Sequence, residues 1–246
     1  MKYIYAALAA LLILVSAAYG EPSSVKIPSG LYILSGDSGT LEIKTDVSGR
    51  RSFAIETVGG NCHTCSLSGV ILGTTGYSGE EGKPGEEVCK VGFKRIGSAV
   101  VDVKPLTPET CRDYCGMRAG FDGTYKVPPA SCSRKTQQMR RDEFQRLYRT
   151  QQFALAAEKL SGLLKECGDF INWIEIDKVR NDLSLAQLHA GDASACLKTL
   201  SDTYAGQSSK EEDFYLPPCD RDNYQSVAKA TWHNRSLCEK AKAGHK

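Results

Sequence analysis

The chain has 246 residues, 31 basic and 29 acidic side chains and a formal charge of +2, with 41% hydrophobic and 24% charged residues. That length accommodates two ordinary domains, and that apolar content allows a packed core in each. The charge is balanced along both halves, which excludes the concentrated basic face expected of a nucleic-acid partner.

The first twenty residues, MKYIYAALAALLILVSAAYG, carry one early Lys2, an apolar run to Val15 and small residues at Ala18 and Gly20. This is the pattern of a secretory signal cut after Gly20, too short for a spanning helix and without a basic stop-transfer cluster. The expectation is residues 1–20 as a signal peptide, residues 21–132 as a β domain and residues 133–246 as a helical domain. No membrane span is expected after cleavage, and the location is periplasmic or secreted. In that compartment the ten cysteines read as an oxidised framework.

From Gly30 to about Val127 the apolar positions repeat with period two. In GTLEIKTD, Leu41, Ile43 and Thr45 alternate with Glu42 and Lys44, and RSFAIETV repeats the pattern with Phe53, Ile55 and Thr57. CSLSGVIL, EVCKVGFKRI, SAVVDV and FDGTYKV continue it between glycine-rich turns, which predicts an antiparallel meander or small barrel. TPETCRDYCG interrupts it with a short helix, Thr107 as its N-cap, Pro108 in the first turn and Gly116 ending it in a left-handed turn.

The segment Cys62-His63-Thr64-Cys65 looks most like chemistry. A redox pair needs its first cysteine at a helix N-terminus, whereas the residues after Cys65 alternate as a strand. Covalent haem needs histidine directly after the second cysteine, where Ser66 stands, and zinc needs further reduced ligands. The structural reading is therefore a disulfide framework, with a thiol-disulfide oxidoreductase using Cys62 and Cys65 as the alternative. Cys65 is in phase with Leu67 and Ile71, and Cys89 with Val91 and Phe93, so both face the core and Cys65 is expected to pair with Cys89. Cys62 with Cys111 and Cys115 with Cys132 is one completion among several.

Between these strands GTTGYSGEEGKPGEE forms consecutive Gly-X-Y triplets from Gly73 to Glu87. It is too short for a triple helix and reads as an exposed hairpin loop with Tyr77 and Ser78 at its tip. An exposed tyrosine there is the best candidate for a partner contact.

After Cys132 the period becomes helical. Phe153, Ala156, Ala157, Leu160, Leu163 and Leu164 share one face, opposite Glu158, Lys159 and Lys165. Gln151, Ala156 and Leu160 recur forty positions later as Gly191, Cys196 and Leu200, a spacing like half of a tetratricopeptide repeat. The expected architecture is α+β, with the β meander or barrel followed by a disulfide-stapled bundle of helical hairpins. A polar loop, GQSSKEED, precedes a last helix from about Asp220 to Ala241. Cys219 and Cys238 lie roughly 28 Å apart along that helix and are not expected to bond to each other. An up-down arrangement predicts Cys167 with Cys219 and Cys196 with Cys238.

Catalytic, cofactor and metal constellations are not expected. His63, His189, His233 and His245 are scattered, and no nucleophile elbow or phosphate loop occurs. His189 complements a helix C-terminus. Arg180, Asn181 and Asp182 read as an inter-helix contact, and Asn234-Arg235-Ser236 as a coincidental glycosylation match.

At CRDYCGMRAGFDGTY and VRNDLSLAQLHAGDASACLKTL the chain resembles a group of exported proteins of Gram-negative bacteria. Their β domain is similar to that of periplasmic lysozyme inhibitors and is followed by a cysteine-bridged helical domain. The resemblance implies a binding protein of the envelope with a protein partner, in its specific form an inhibitor or immunity protein against a muramidase-type cell-wall hydrolase. Inhibitors of that kind insert a loop bearing Ser-Gly and a tyrosine. LSGDSG at 34–39 and GYSGEEG at 76–82 depart from that pattern, so no inhibitory residue is carried over.

Overall fold

A computed structural model describes residues 26–36, 38–79, 87–208 and 214–244. The expected signal peptide, residues 80–86 of the Gly-X-Y loop, Asp37 of LSGDSG, part of GQSSKEED and His245 lie outside the described residues.

Strands β1 (Gly30–Leu34), β2 (Gly39–Thr45), β3 (Arg51–Val58), β4 (Thr64–Leu72), β5 (Thr75–Ser78), β6 (Lys90–Arg95), β7 (Val100–Pro105) and β8 (Gly123–Lys126) form an antiparallel meander. It closes into a barrel because β8 returns to β1, with Ile33 opposite Lys126 and Leu34 opposite Tyr125. The period-two residues fill the interior in register, Leu41 opposite Ile55 and Ile55 opposite Leu67. Each such side chain contributes roughly 1.5–3 kcal/mol by leaving water. Tyr32 and Tyr125 are fully buried, and each hydroxyl donates to the carbonyl four residues earlier, Pro28 and Phe121, at 2.8 Å. Burial pushes both phenols above their ordinary pKa.

β5 lies inside the segment expected to be a loop. Its Gly76 faces the Phe53 and Phe93 rings, which meet edge-on at 5.3 Å. A Cβ on Gly76 would come within 2.7 Å of both rings. The glycine that weakens the strand signal is the one the barrel interior requires.

The interrupting helix is α1 (Pro108–Cys111), continued by a tight turn at Arg112–Tyr114. Two expectations are corrected. The Thr107 side chain does not cap the helix; its Oγ1 accepts from Lys90 N at 2.8 Å and donates to Val88 O at 3.2 Å, tying the helix to β6. Nor does Gly116 turn left-handed. The turn ends at Cys115, which is extended and bridges to Cys65 on β4. Gly116 is small because a Cβ there would lie 2.6 Å from His63 Nδ1.

Five disulfides use every cysteine: Cys62–Cys219, Cys65–Cys115, Cys89–Cys111, Cys132–Cys167 and Cys196–Cys238. The expected Cys196–Cys238 bridge is present, and the other four expected pairings are corrected. Cys65 and Cys89 do face the core, both 0% exposed. They are not neighbours, however, because β5 lies between β4 and β6; the α1 segment crosses this face and supplies Cys115 and Cys111. Cys62 therefore does not pair with Cys111, nor Cys115 with Cys132. Cys132 sits in the turn before the first long helix and meets Cys167 at the end of the second, which leaves Cys219 for Cys62.

The long helices are α2 (Arg134–Arg149), α3 (Phe153–Cys167), α4 (Trp173–His189), α5 (Ala193–Ser201) and α6 (Pro218–Gly244). Sequential neighbours pack together, and α6 also packs on α4. Ser133, Asn172 and Asp192 cap α2, α4 and α5 through side-chain oxygens, as their residue types favour. The forty-residue recurrence has a backbone counterpart. Gln151 and Gly191 both take left-handed φ, 58° and 87°. The following amides, Gln152 N and Asp192 N, bond back to Leu147 O and Gln187 O, each at 2.9 Å. Both turns are thus the same Schellman ending.

Lys126 Nζ reaches Asp169 Oδ2 at 2.7 Å, and Gly36 N donates to Asp169 O at 2.9 Å, so the barrel rests on the turn after α3. The Asn61–Cys62 turn contacts the start of α6.

Candidate functional site

Alternation along a strand sends every second residue outward, and midway along β3 and β4 three of the outward residues, Ser52, Ala54 and Ser68, are small. Ser52 stands opposite Val70, and Ala54 opposite Ser68. Beside them on β2, Glu42 and Lys44 form an ion pair at 2.8 Å. Glu42 and Lys44 on β2 stand above the small Ser52, Ala54 and Ser68, which leaves a groove of about 820 Å³ on the barrel's outer face, lined also by Val70, open to solvent and reaching Gly79 at one side. Such a volume suits a small ligand or an inserted partner side chain.

One end of the groove is held rigid by the β2–β3 turn. Asp46 Oδ1 accepts from Ser48 Oγ at 2.7 Å, Ser48 N at 2.8 Å and Arg50 N at 2.9 Å. These bonds, the Ser48 hydroxyl first, hold the Asp46 carboxyl below the ordinary carboxylate range. Gly49 completes the turn with φ 83°. Farther along β3 and β4, outside the groove lining, Ser66 Oγ donates to Glu56 at 2.6 Å. The Ser52 and Ser68 hydroxyls form no hydrogen bond with the described residues and are offered to whatever enters.

The expected contact residues are placed differently from the expectation. The chain turns at Gly73, left-handed at φ 63°, so Tyr77 and Ser78 lie in the ladder of β5 and not at a hairpin tip. Tyr77 is half-buried on the outer face, paired with Val70 of the groove and with Lys90. Ser78 points inward and is 4% exposed; its Oγ accepts from Cys89 N at 3.1 Å and from the Tyr114 hydroxyl at 2.9 Å. Ser78 is thereby corrected from a surface contact to a core hydrogen-bonding group, while Tyr77 stands on the strand next to the groove's Val70.

Cys62 and Cys65 are not bonded to each other, so the two-cysteine redox centre weighed from sequence is not formed. Among the described residues no group of three His, Cys, Asp or Glu side chains is placed to hold a metal ion, and no helix is long and apolar enough to cross a membrane. The Arg180-Asn181-Asp182 triplet is split by the helical turn. Arg180 pairs with Asp177 at 2.8 Å, Asn181 enters the core, and Asp182 remains exposed. Asn234 is buried against Asn181 Oδ1 at 3.0 Å, and His189 stacks on Phe153 with ring centroids 4.9 Å apart.

Sequence reasoning missed the groove because it depends on Ser52, Ala54 and Ser68 being neighbours across two strands. The signal was present as small residues at the outward positions of both strands, readable only once their register is known. Compared with family models, curated proteins and solved structures, the chain matches none.

Proposed function

We propose that the protein is an exported, non-enzymatic binding protein of the cell envelope, periplasmic or secreted, whose barrel engages a protein partner through the outer groove. The observation that carries this reading is the groove itself, about 820 Å³, with Ser52, Ala54 and Ser68 in its floor, the two hydroxyls unbonded among the described residues, and with Tyr77 paired across the ladder with its Val70. Five disulfides are consistent with an oxidising, extracytoplasmic compartment. The partner class is a muramidase-type cell-wall hydrolase, as the resemblance to exported proteins with a lysozyme-inhibitor-like barrel implies. In this reading the helices form a bundle of tetratricopeptide-like hairpins, supported by the two equivalent Schellman turns, and present the barrel without contributing chemistry.

The test is inhibition of a purified muramidase by the mature protein and by two variants. Ala54→Arg fills the groove and is expected to abolish inhibition. Tyr77→Ala is expected to weaken it about thirtyfold, the ~2 kcal/mol worth of an aromatic anchor. Failure of the unaltered protein to bind or inhibit any cell-wall hydrolase would sink the partner class. Full activity of Ala54→Arg would move the binding surface off the groove.

A further inference from the structure

Four of the five disulfides have at least one sulfur sealed in a core: Cys65, Cys89, Cys167, Cys196 and Cys238 are all 0% exposed, Cys111 and Cys132 2%. Cys62–Cys219 alone has both ends only partly buried. It is also the one bridge between barrel and helices, joining residues 157 apart in sequence. Its two sulfurs have unequal surroundings. Cys219 is the second residue of α6, a helix of 27 residues, where the macrodipole favours a thiolate. Cys62 faces the Asp220 carboxylate, with Oδ1 4.0 Å from its sulfur, and a negative charge there disfavours a thiolate on Cys62. Asn223 Nδ2 lies between them, 3.3 Å from the Cys62 sulfur and 3.8 Å from that of Cys219. Asn61 and Cys62 are both left-handed, φ 57° and 58°, a conformation that non-glycine residues adopt at a cost. Opening the bridge removes the covalent constraint on this turn, while Lys126–Asp169 still joins the two regions.

We propose that Cys62–Cys219 is a thiol-exchange site, open to covalent modification by low-molecular-weight thiols, and that its state sets how firmly the barrel is held to α6. A thiolate attacks Cys62 Sγ, forming a mixed disulfide there. The Cys62–Cys219 bond breaks, and its electron pair leaves on Cys219, which takes a proton from solvent. A second thiol then attacks the sulfur of the first, releasing Cys62 as a thiol and the external pair as a disulfide. Two external thiols are oxidised and the two cysteines are reduced.

The experiment exposes the native, full mature protein to reduced glutathione, quenches with an alkylating reagent and maps the peptides. The first adduct is expected on Cys62 and the first alkylated thiol on Cys219, at least about tenfold faster than at any other pair. Earlier reaction at another pair, or no reaction until all five bridges open together, would overturn the proposal. The double variant Cys62→Ser, Cys219→Ser should keep the far-ultraviolet circular dichroism of the parent and lose the fast phase. A fast phase that persists in it would also be fatal. Asp220→Asn should shift the adduct ratio toward Cys219 by about threefold, and an unchanged ratio would overturn the assignment of Cys219 as leaving group.

Discussion

The barrel and the helical region solve the same packing problem with different chemistry. The barrel core is mainly apolar, with Arg51, Thr57 and Ser78 buried at its margins, and its order comes chiefly from backbone ladders that close on themselves. The helices have no ladder between them, and their core carries Asp177, Asn181, Ser184, Thr231 and Asn234, all nearly inaccessible. Asp177 accepts from Arg180 at 2.8 Å, from Tyr204 N at 2.7 Å and from the Tyr224 hydroxyl at 2.6 Å. Asn181 Nδ2 donates to Thr231 Oγ1 at 2.9 Å and so ties α4 to α6. Around Tyr224, Trp173 stacks at 4.9 Å and Phe214 at 5.7 Å. The contrast teaches that where backbone hydrogen bonds cannot set register between elements, directional side-chain bonds do, and each is costly to remove.

The sharpest way to break the comparison is Asp177→Ala. It strands the Tyr204 amide and the Tyr224 hydroxyl, and at up to ~2 kcal/mol for each unsatisfied donor the expected loss is about 4 kcal/mol. Chemical denaturation with hydrogen exchange checks it, α4 and α6 losing protection before β3 and β4. Equal loss in both regions would mean that they unfold as one unit. The same site predicts a pH dependence. Burial, then the bond to Asp177, raises the Tyr224 pKa above its ordinary value of 10.0. The folded state therefore holds that proton more tightly than the unfolded chain does. This contribution is complete below pH 10 and is lost as pH rises through the folded value. Tyr224→Phe, which has no such proton, should flatten that alkaline decline in a melting series.

In the barrel the corresponding break is steric. A Cβ on Gly69 would lie 1.9 Å from Tyr77 O, a backbone atom that cannot move without shifting β5. Gly69→Ala should cost about 2 kcal/mol as an overpacking change, read as a lower denaturation midpoint with helical protection unchanged. The smallest expected effect is a gain. Gln151 occupies the left-handed place that Gly191 fills in the equivalent turn, so Gln151→Gly should stabilise α2–α3 by about 1 kcal/mol. A loss instead would show that the Gln151 side chain has a role the turn geometry does not reveal.

Much of this architecture was legible in one dimension. The switch from period two to helical period placed the barrel strands and the helices, because apolar burial imposes those periods locally. The forty-residue recurrence marked two turns that share one backbone ending, and helix length alone ruled out Cys219 with Cys238. What tertiary structure decided was adjacency. β5 was invisible because Gly76 makes room for Phe53 and Phe93, side chains distant in sequence, and one unseen strand was enough to separate Cys65 from Cys89. From there the error passed through the framework, since each cysteine bonds only to what the fold brings within reach. Tyr77 moved from an imagined tip to a ladder position paired with Val70, and the groove's floor of Ser52, Ala54 and Ser68 exists only through the β3–β4 register. Periodicity reports which way a residue faces; which residue it meets depends on the path of the whole chain.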